Sequence, residues 1–217
     1  ASDTVRAVVL RGNGPVFCAG LDLSEATDTQ HSHRSAEGVA EVLRRMYRLP
    51  QTTIAQVHGA ALAGGLGLVS ACDLAWATAG AKFGYPEVRR GLVAGLVMTF
   101  IRRQLAERHA RELLLLGEII EGERAEAMGL INRAVPHDML DDAVTRVVDL
   151  VLKGAPGAIA KTKAFYNDRY PRTVEADLED ALALHVAVRD AGEAQEGMRA
   201  FLEKRLPTWD PARETGH

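Results

Sequence analysis

The stretch from Thr52 to Glu87, TTIAQVHGAALAGGLGLVSACDLAWATAGAKFGYPE, constrains the fold of this 217-residue chain more than any other. A β-branched and apolar run, Thr53 to Val57, stops at His58-Gly59 and gives way to the small residues Ala60 to Gly67, which then take on a helical pattern. That order predicts a strand, a tight turn and a helix start. The first N–H groups of a helix have no partner within it and lie at the positive end of the aligned peptide dipoles. A glycine-lined helix start can therefore hold developing negative charge at close range, and Gly64 and Gly65 are where this is expected. Glu87 follows Gly67 by 20 residues, as the one carboxylate among Phe83, Gly84, Tyr85, Pro86 and Val88. An anion-holding turn and a positioned base are the two parts needed to make and stabilise an enolate.

Upstream, Val5 to Leu10 suits a buried strand that ends in the turn Arg11 to Pro15, and its apolar character predicts neighbours on both sides. In Val16 to Leu23, Ala19-Gly20 interrupts an apolar run just before Asp22. A glycine there lets the N–H of Leu21 point outward at a ligand, although an ordinary strand-to-loop turn fits the same residues, with Asp22 as a local cap. Ser24 to Arg34 is polar and reads as a surface loop. His31 and His33 lie two apart in it without a third ligand nearby, so they read as solvated side chains and no metal site is expected. Helical spacing then runs from Ala36 to Leu49, where Pro50 ends it.

Downstream, Asp73 to Thr78 reads as the next strand, and strands alternating with helices argue for an α/β core with largely parallel pairing. His58, at a strand end, reads as a structural histidine. Gly91 to Gly95 forms a second small-residue loop. Helices are expected over Val97 to Leu105, Arg108 to Leu116 with Gly117 as C-cap, and Glu121 to Met128 with Gly129 as C-cap, followed by a strand from Leu130 to Val135. From Asp138 the pattern is all helical: 139–152, 158–166, 173–188 and 194–204. The composition shift at Gly154 to Gly157 divides an α/β core, residues 1–153, from a helical segment, residues 154–217, which covers little core itself and suits docking on a neighbouring subunit.

Composition excludes several classes. With 26 basic and 29 acidic residues the chain has no charge excess to draw it to nucleic acid or an anionic membrane. No apolar run is long enough to cross a bilayer and no signal peptide is expected. Cys18 and Cys72 have no framework spacing, so both read as small buried hydrophobes in a reducing cytoplasm. Neither GxxxxGK[ST] nor GxGxxG is present, which argues against a nucleotide site at the Gly64 loop.

Taken together and in order, VFCAGLDL, HGAALAGGLGLVSACDLAWAT, KFGYPEVRRGLVAG, GLINRAVP and GMRAFLEKRLP resemble the enoyl-CoA hydratase/isomerase (crotonase) superfamily, from Val5 to about Pro207. The resemblance implies an α/β fold of the ClpP/crotonase type, a spiral of ββα units with a C-terminal all-helical trimerisation segment, assembling as a homotrimer or a dimer of trimers. It implies an oxyanion hole for a thioester carbonyl at the backbone N–H groups of Leu21 and Gly64, and Glu87 as the catalytic carboxyl. Ala19, Gly20, Asp22, Leu23, Gly65 and Gly95 would line the substrate site, and Phe201 and Lys204 would contact coenzyme A, which enters as part of the acyl-CoA substrate; no separate cofactor is expected.

Two departures from the family pattern bear on the reaction. Hydratases of the best-known type carry a second glutamate where this chain has Gly67. One carboxyl suffices to shuttle a proton between two carbons of an enolate, whereas adding water usually uses one group to activate water and another to deliver the proton. Family members also normally have a few tens of residues before Val5, forming a first strand pair and helix, and the resemblance implies that these are missing here. The expected activity is hydration of a 2-enoyl-CoA. The alternatives are Δ3,Δ2-enoyl-CoA isomerisation with Glu87 as sole acid/base, and a catalytically silent acyl-CoA-binding subunit.

Overall fold

Every residue of Thr52–Val57 is buried, including two threonines and a glutamine. A strand covered on both faces belongs in the middle of a parallel sheet, where crossover helices cover it on both sides. The computed structural model describes residues 5–21, 29–168, 173–190 and 192–208. In it, β1 (Ala7–Arg11), β2 (Thr52–Val57), β4 (Leu74–Thr78) and β7 (Arg133–Val135) form one sheet in that order, all parallel. A second sheet orders β3 (Ala60–Leu62), β5 (Lys82–Gly84) and β6 (Ile119–Glu121), with β3 and β5 parallel and β6 antiparallel to β5.

The two sheets advance together. Strands β2 and β3 precede α2 (Gly64–Ala71), and β4 and β5 precede α3 (Gly95–Gln104) and α4 (Glu107–Leu116); β6, α5 (Gly122–Met128) and β7 follow. Each turn of the chain thus adds one strand to each sheet, which is the expected spiral of ββα units. Helix α2 runs through the interior, burying Leu66 and Val69; each such side chain contributes about 1.5–3 kcal/mol by leaving water. Gly117 and Gly129 take left-handed conformations at the ends of α4 and α5, as expected of glycine C-caps.

Two expectations are corrected. Strand β1 stands at an edge of its sheet and is only half-buried, because among the described residues its single partner is β2. The expected loop Ser24 to Arg34 is partly helical: α1 spans Thr29–Arg48, and within it Nε2 of His33 lies 3.1 Å from Oδ2 of Asp190. The second sheet is absent from the sequence reading, since its strands are three residues long and too short to show alternation.

After β7 the described residues are helical. Helix α6 (Leu140–Lys153) covers the first sheet through Leu140, Val144 and Val147. Helix α7 (Pro156–Asp168) buries no residue, and Phe165 and Tyr166 are exposed. It is tied down where Nζ of Lys163 donates to Oδ2 of Asp73 at 2.7 Å. Helix α8 (Val174–Arg189) packs on α1 and α3 in a cluster that includes Leu43, Phe100 and Leu178. Beside it a buried ion pair, Nη2 of Arg103 to Oδ2 of Asp177, spans 3.2 Å. Helix α9 (Gly192–Leu202) lies against the 3₁₀ turn Pro86–Arg90. Among the described residues no helix is long and apolar enough to cross a membrane.

Candidate active site

Parallel register brings the three sequence motifs to one place. Cys18 pairs with Ala61, and Ala61 pairs with Phe83, so the segment at Cys18, β3 and β5 lie side by side and point the same way. The N–H of Cys18 donates to Ala60 O and the N–H of Leu62 to Cys18 O, both at 3.0 Å. Beyond this common level Leu21 is three residues past Cys18, Gly64 three past Ala61, and Glu87 four past Phe83. All three chains turn aside at the same sheet end.

Each turn has a local cause. Gly20 has φ +103°, and a Cβ there would sit 3.1 Å from the Ala63 Cβ and 3.7 Å from the Gly64 nitrogen, so Gly20 and Gly64 are in close approach. Ala63, which precedes α2, itself has φ +51°, a conformation an alanine rarely adopts, and its N–H donates to Gly84 O at 2.9 Å. Gly64 then opens α2; the first backbone bond across the helix start is from Gly67 N–H to Ala63 O, and none of the described backbone bonds takes up the N–H of Gly64 or Leu21.

Leu21, Gly64, Glu87, Gly95 and Phe201 line one cavity of about 820 Å³, together with Ala19 and Gly20. Its size suits a small-molecule site, and its walls are mostly apolar. Gly65 does not line it: its backbone lies directly under Cys18 O, with no room for a side chain, so its part is close packing beneath the Cys18 segment. Lys204 is exposed and outside the cavity, and Asp22 and Leu23 lie outside the described residues. Gly95 opens α3, where a Cβ would stand 3.0 Å from Ala181 O on α8.

Glu87 sits in the 3₁₀ turn, held by backbone bonds from Gly91 and Leu92 N–H to its carbonyl. Its Oε2 is buried with no hydrogen-bond partner. Burial pushes the carboxyl up to about 7, against smaller opposing effects of its own backbone N–H and of Arg90. A carboxyl so placed exchanges a proton readily near neutral pH. The guanidinium of Arg90 is stacked 4.5 Å over the Phe201 ring.

The sequence reading did not pick out Arg90, His185 or Arg189, all of which line the cavity. Arg90, three residues after Glu87, could have been found by proximity; the two α8 residues could not, since their distance along the chain gives no hint of it. His58 is structural as expected, with Nε2 2.8 Å from Gly14 O. Burial pushes the Cys72 thiol up to about 12, which suits an inert core residue.

Comparison with known proteins agrees with this architecture. The family model for enoyl-CoA hydratase/isomerase matches residues 1–212. A Thermus thermophilus protein whose name places it among the enoyl-CoA hydratases is 37% identical over 212 residues, covering 95% of this chain and 84% of its own. The mevalonyl-coenzyme A hydratase sidH of Aspergillus fumigatus is 34% identical over 213 residues, covering 94% and 78%. The crystal structure of an enoyl-CoA hydratase from Mycobacterium avium superposes with a TM-score of 0.86 at 34% identity, covering 95% of this chain and 80% of that one. With its spiral of paired sheets and its whole-length match, the chain belongs to the enoyl-CoA hydratase/isomerase (crotonase) family.

Proposed function

We propose that this protein hydrates a 2-enoyl-CoA thioester, with the N–H groups of Leu21 and Gly64 holding the thioester oxygen and Glu87 as acid and base. The observation that carries the reading is the in-register delivery of Leu21, Gly64 and Glu87 to one cavity, with a Glu87 carboxyl oxygen buried there and unpartnered. The ionised carboxyl takes a proton from water as the water oxygen bonds to C3. The C2–C3 double-bond electrons move toward the thioester carbonyl, and the resulting enolate oxygen rests on the two N–H groups. The protonated carboxyl then returns its proton to C2, giving a 3-hydroxyacyl-CoA and regenerating the carboxylate. Each backbone donor aimed at the enolate oxygen lowers the barrier by about 3 kcal/mol.

A second reading, Δ3,Δ2-enoyl-CoA isomerisation, is favoured by Gly67, which leaves α2 without an acid to accompany Glu87. Coenzyme A enters both readings as part of the substrate, with Phe201 beside it. Lys204 would serve the coenzyme A of an adjacent subunit in a trimer, and the exposed Phe165 and Tyr166 suit such an assembly. Incubation with crotonyl-CoA and with a 3-enoyl-CoA in ¹⁸O water separates the reactions. Hydration predicts loss of the conjugated thioester absorbance with label at C3. Conversion of the 3-enoyl thioester to 2-enoyl without label, and no hydration, selects isomerisation. Turnover in neither assay, despite tight thioester binding, leaves a silent acyl-CoA-binding protein.

A further inference from the structure

The α8 wall of the cavity carries charge that the reaction above does not use. Ala181, His185 and Arg189 recur every four residues and so share one face of α8. Ala181 packs against Gly95, and His185 and Arg189 continue that face along the cavity lining. Arg189 is 4% exposed, yet among the described residues its guanidinium makes no hydrogen bond or ion pair; Asp190 acts on it only as a neighbouring charge and is itself bonded to His33. His185 Nε2 is likewise buried without a partner, the backbone of Val93 being bonded to the ring.

A desolvated guanidinium with unused donors is costly unless an anion completes it. The same cavity is lined by Val39, Val42 and Leu96, which suit the hydrocarbon of an acyl chain. We propose that Arg189, with His185 beside it, forms a subsite for a carboxylate at the far end of the acyl chain, so that the substrate class is a dicarboxylic acyl-CoA. The inference rests on the acyl-CoA reading of the site. A guanidinium matches a carboxylate in shape and charge through paired N–H donors. The other anionic source is the phosphate of coenzyme A itself. A mostly apolar wall suits a single carboxylate better than a strongly hydrated phosphate, and Arg90, the other arginine among the described lining residues, is stacked on Phe201.

Titration calorimetry with two unreactive thioesters of equal carbon count, glutaryl-CoA and pentanoyl-CoA, tests this without requiring turnover. Wild-type protein is expected to bind glutaryl-CoA about tenfold more tightly or better. Arg189→Met should bring the ratio near one, and Arg189→Lys should keep part of it. Equal binding of the two thioesters by the wild type overturns the subsite, even if crotonyl-CoA is hydrated. Loss of both affinities together in Arg189→Met assigns the cation to coenzyme A and also overturns it. Should Arg189→Met fail to fold, the wild-type ratio and Arg189→Lys decide. Binding of neither thioester by the wild type removes the acyl-CoA reading together with the subsite, whereas a glutaryl preference without enoyl-CoA turnover supports the subsite and removes only the hydratase reading.

Discussion

Val97 fills the space that a side chain at residue 67 would need: a Cβ built on Gly67 would collide with the Val97 Cγ1. The position at which the best-known hydratases carry a second glutamate is therefore closed by α3 packing on α2, and Glu87 faces the cavity without a second acid from that helix.

Gly67→Glu should accordingly be an overpacking change, lowering stability by about 1–3 kcal/mol. Adding Val97→Ala should restore most of it, because the colliding atoms are those of the valine side chain. Urea denaturation of the two single variants and the double variant checks this; strictly additive losses would show that the two positions are not in contact.

Glu87 gives a pH signature. Burial raises its folded-state pKa to about 7 from 4.5, so the folded state binds the proton more tightly than the unfolded state. That contribution to stability is fully present below pH 4.5 and is lost as pH rises to about 7, amounting to about 3 kcal/mol. Glu87→Gln, which keeps the shape without the charge, should therefore be more stable than the wild type at pH 8 and lack the decline between these limits. Denaturant titrations at pH 5 and pH 8 measure it. In activity, kcat/KM of the wild type should rise through an apparent pKa near 7 as the base ionises.

Gly20→Ala should cost stability and turnover together. Its φ of +103° is one that an L side chain rarely adopts, and the added methyl would press on Ala63 and Leu62 O. A loss of about 1–3 kcal/mol in thermal unfolding is expected, with kcat falling more than KM changes, since the residue sets the direction of the Leu21 N–H. Unchanged kcat would show that this N–H does not face the reacting oxygen.

Asp177→Ala should be among the most destabilising single changes, about 3–5 kcal/mol, because it strips a buried arginine, Arg103, of its carboxylate at the junction of α3 and α8. Asp177→Ala with Arg103→Met should lose less than Asp177→Ala alone, since the guanidinium that Asp177 balances is then gone as well. Chemical denaturation of the three variants reads the difference.

Much of the helical framework was legible in the sequence, since α1, α4 and α6 follow apolar spacing and end at Pro50, Gly117 and Gly154. The strands β3, β5 and β6 were not. Three residues cannot display a period, and these form because neighbouring strands of the spiral offer them hydrogen-bond partners. Leu21, Gly64 and Glu87 stood out through the small residues and the isolated carboxylate around them. His185 and Arg189 gave no such sign, as polar residues on a helix are ordinarily solvated and only the packing of α8 turns them inward.

By itself, then, the sequence determined which residues could turn, donate or hold a proton, because glycine freedom, helix-start N–H groups and a carboxyl among apolar neighbours are properties of short segments. Tertiary structure decided that Cys18, Ala61 and Phe83 lie level in parallel, which carries three distant turns to one cavity. It also decided how deeply the Glu87 carboxyl is desolvated and that Val97 closes the space at Gly67, since both depend on which surfaces meet across the fold.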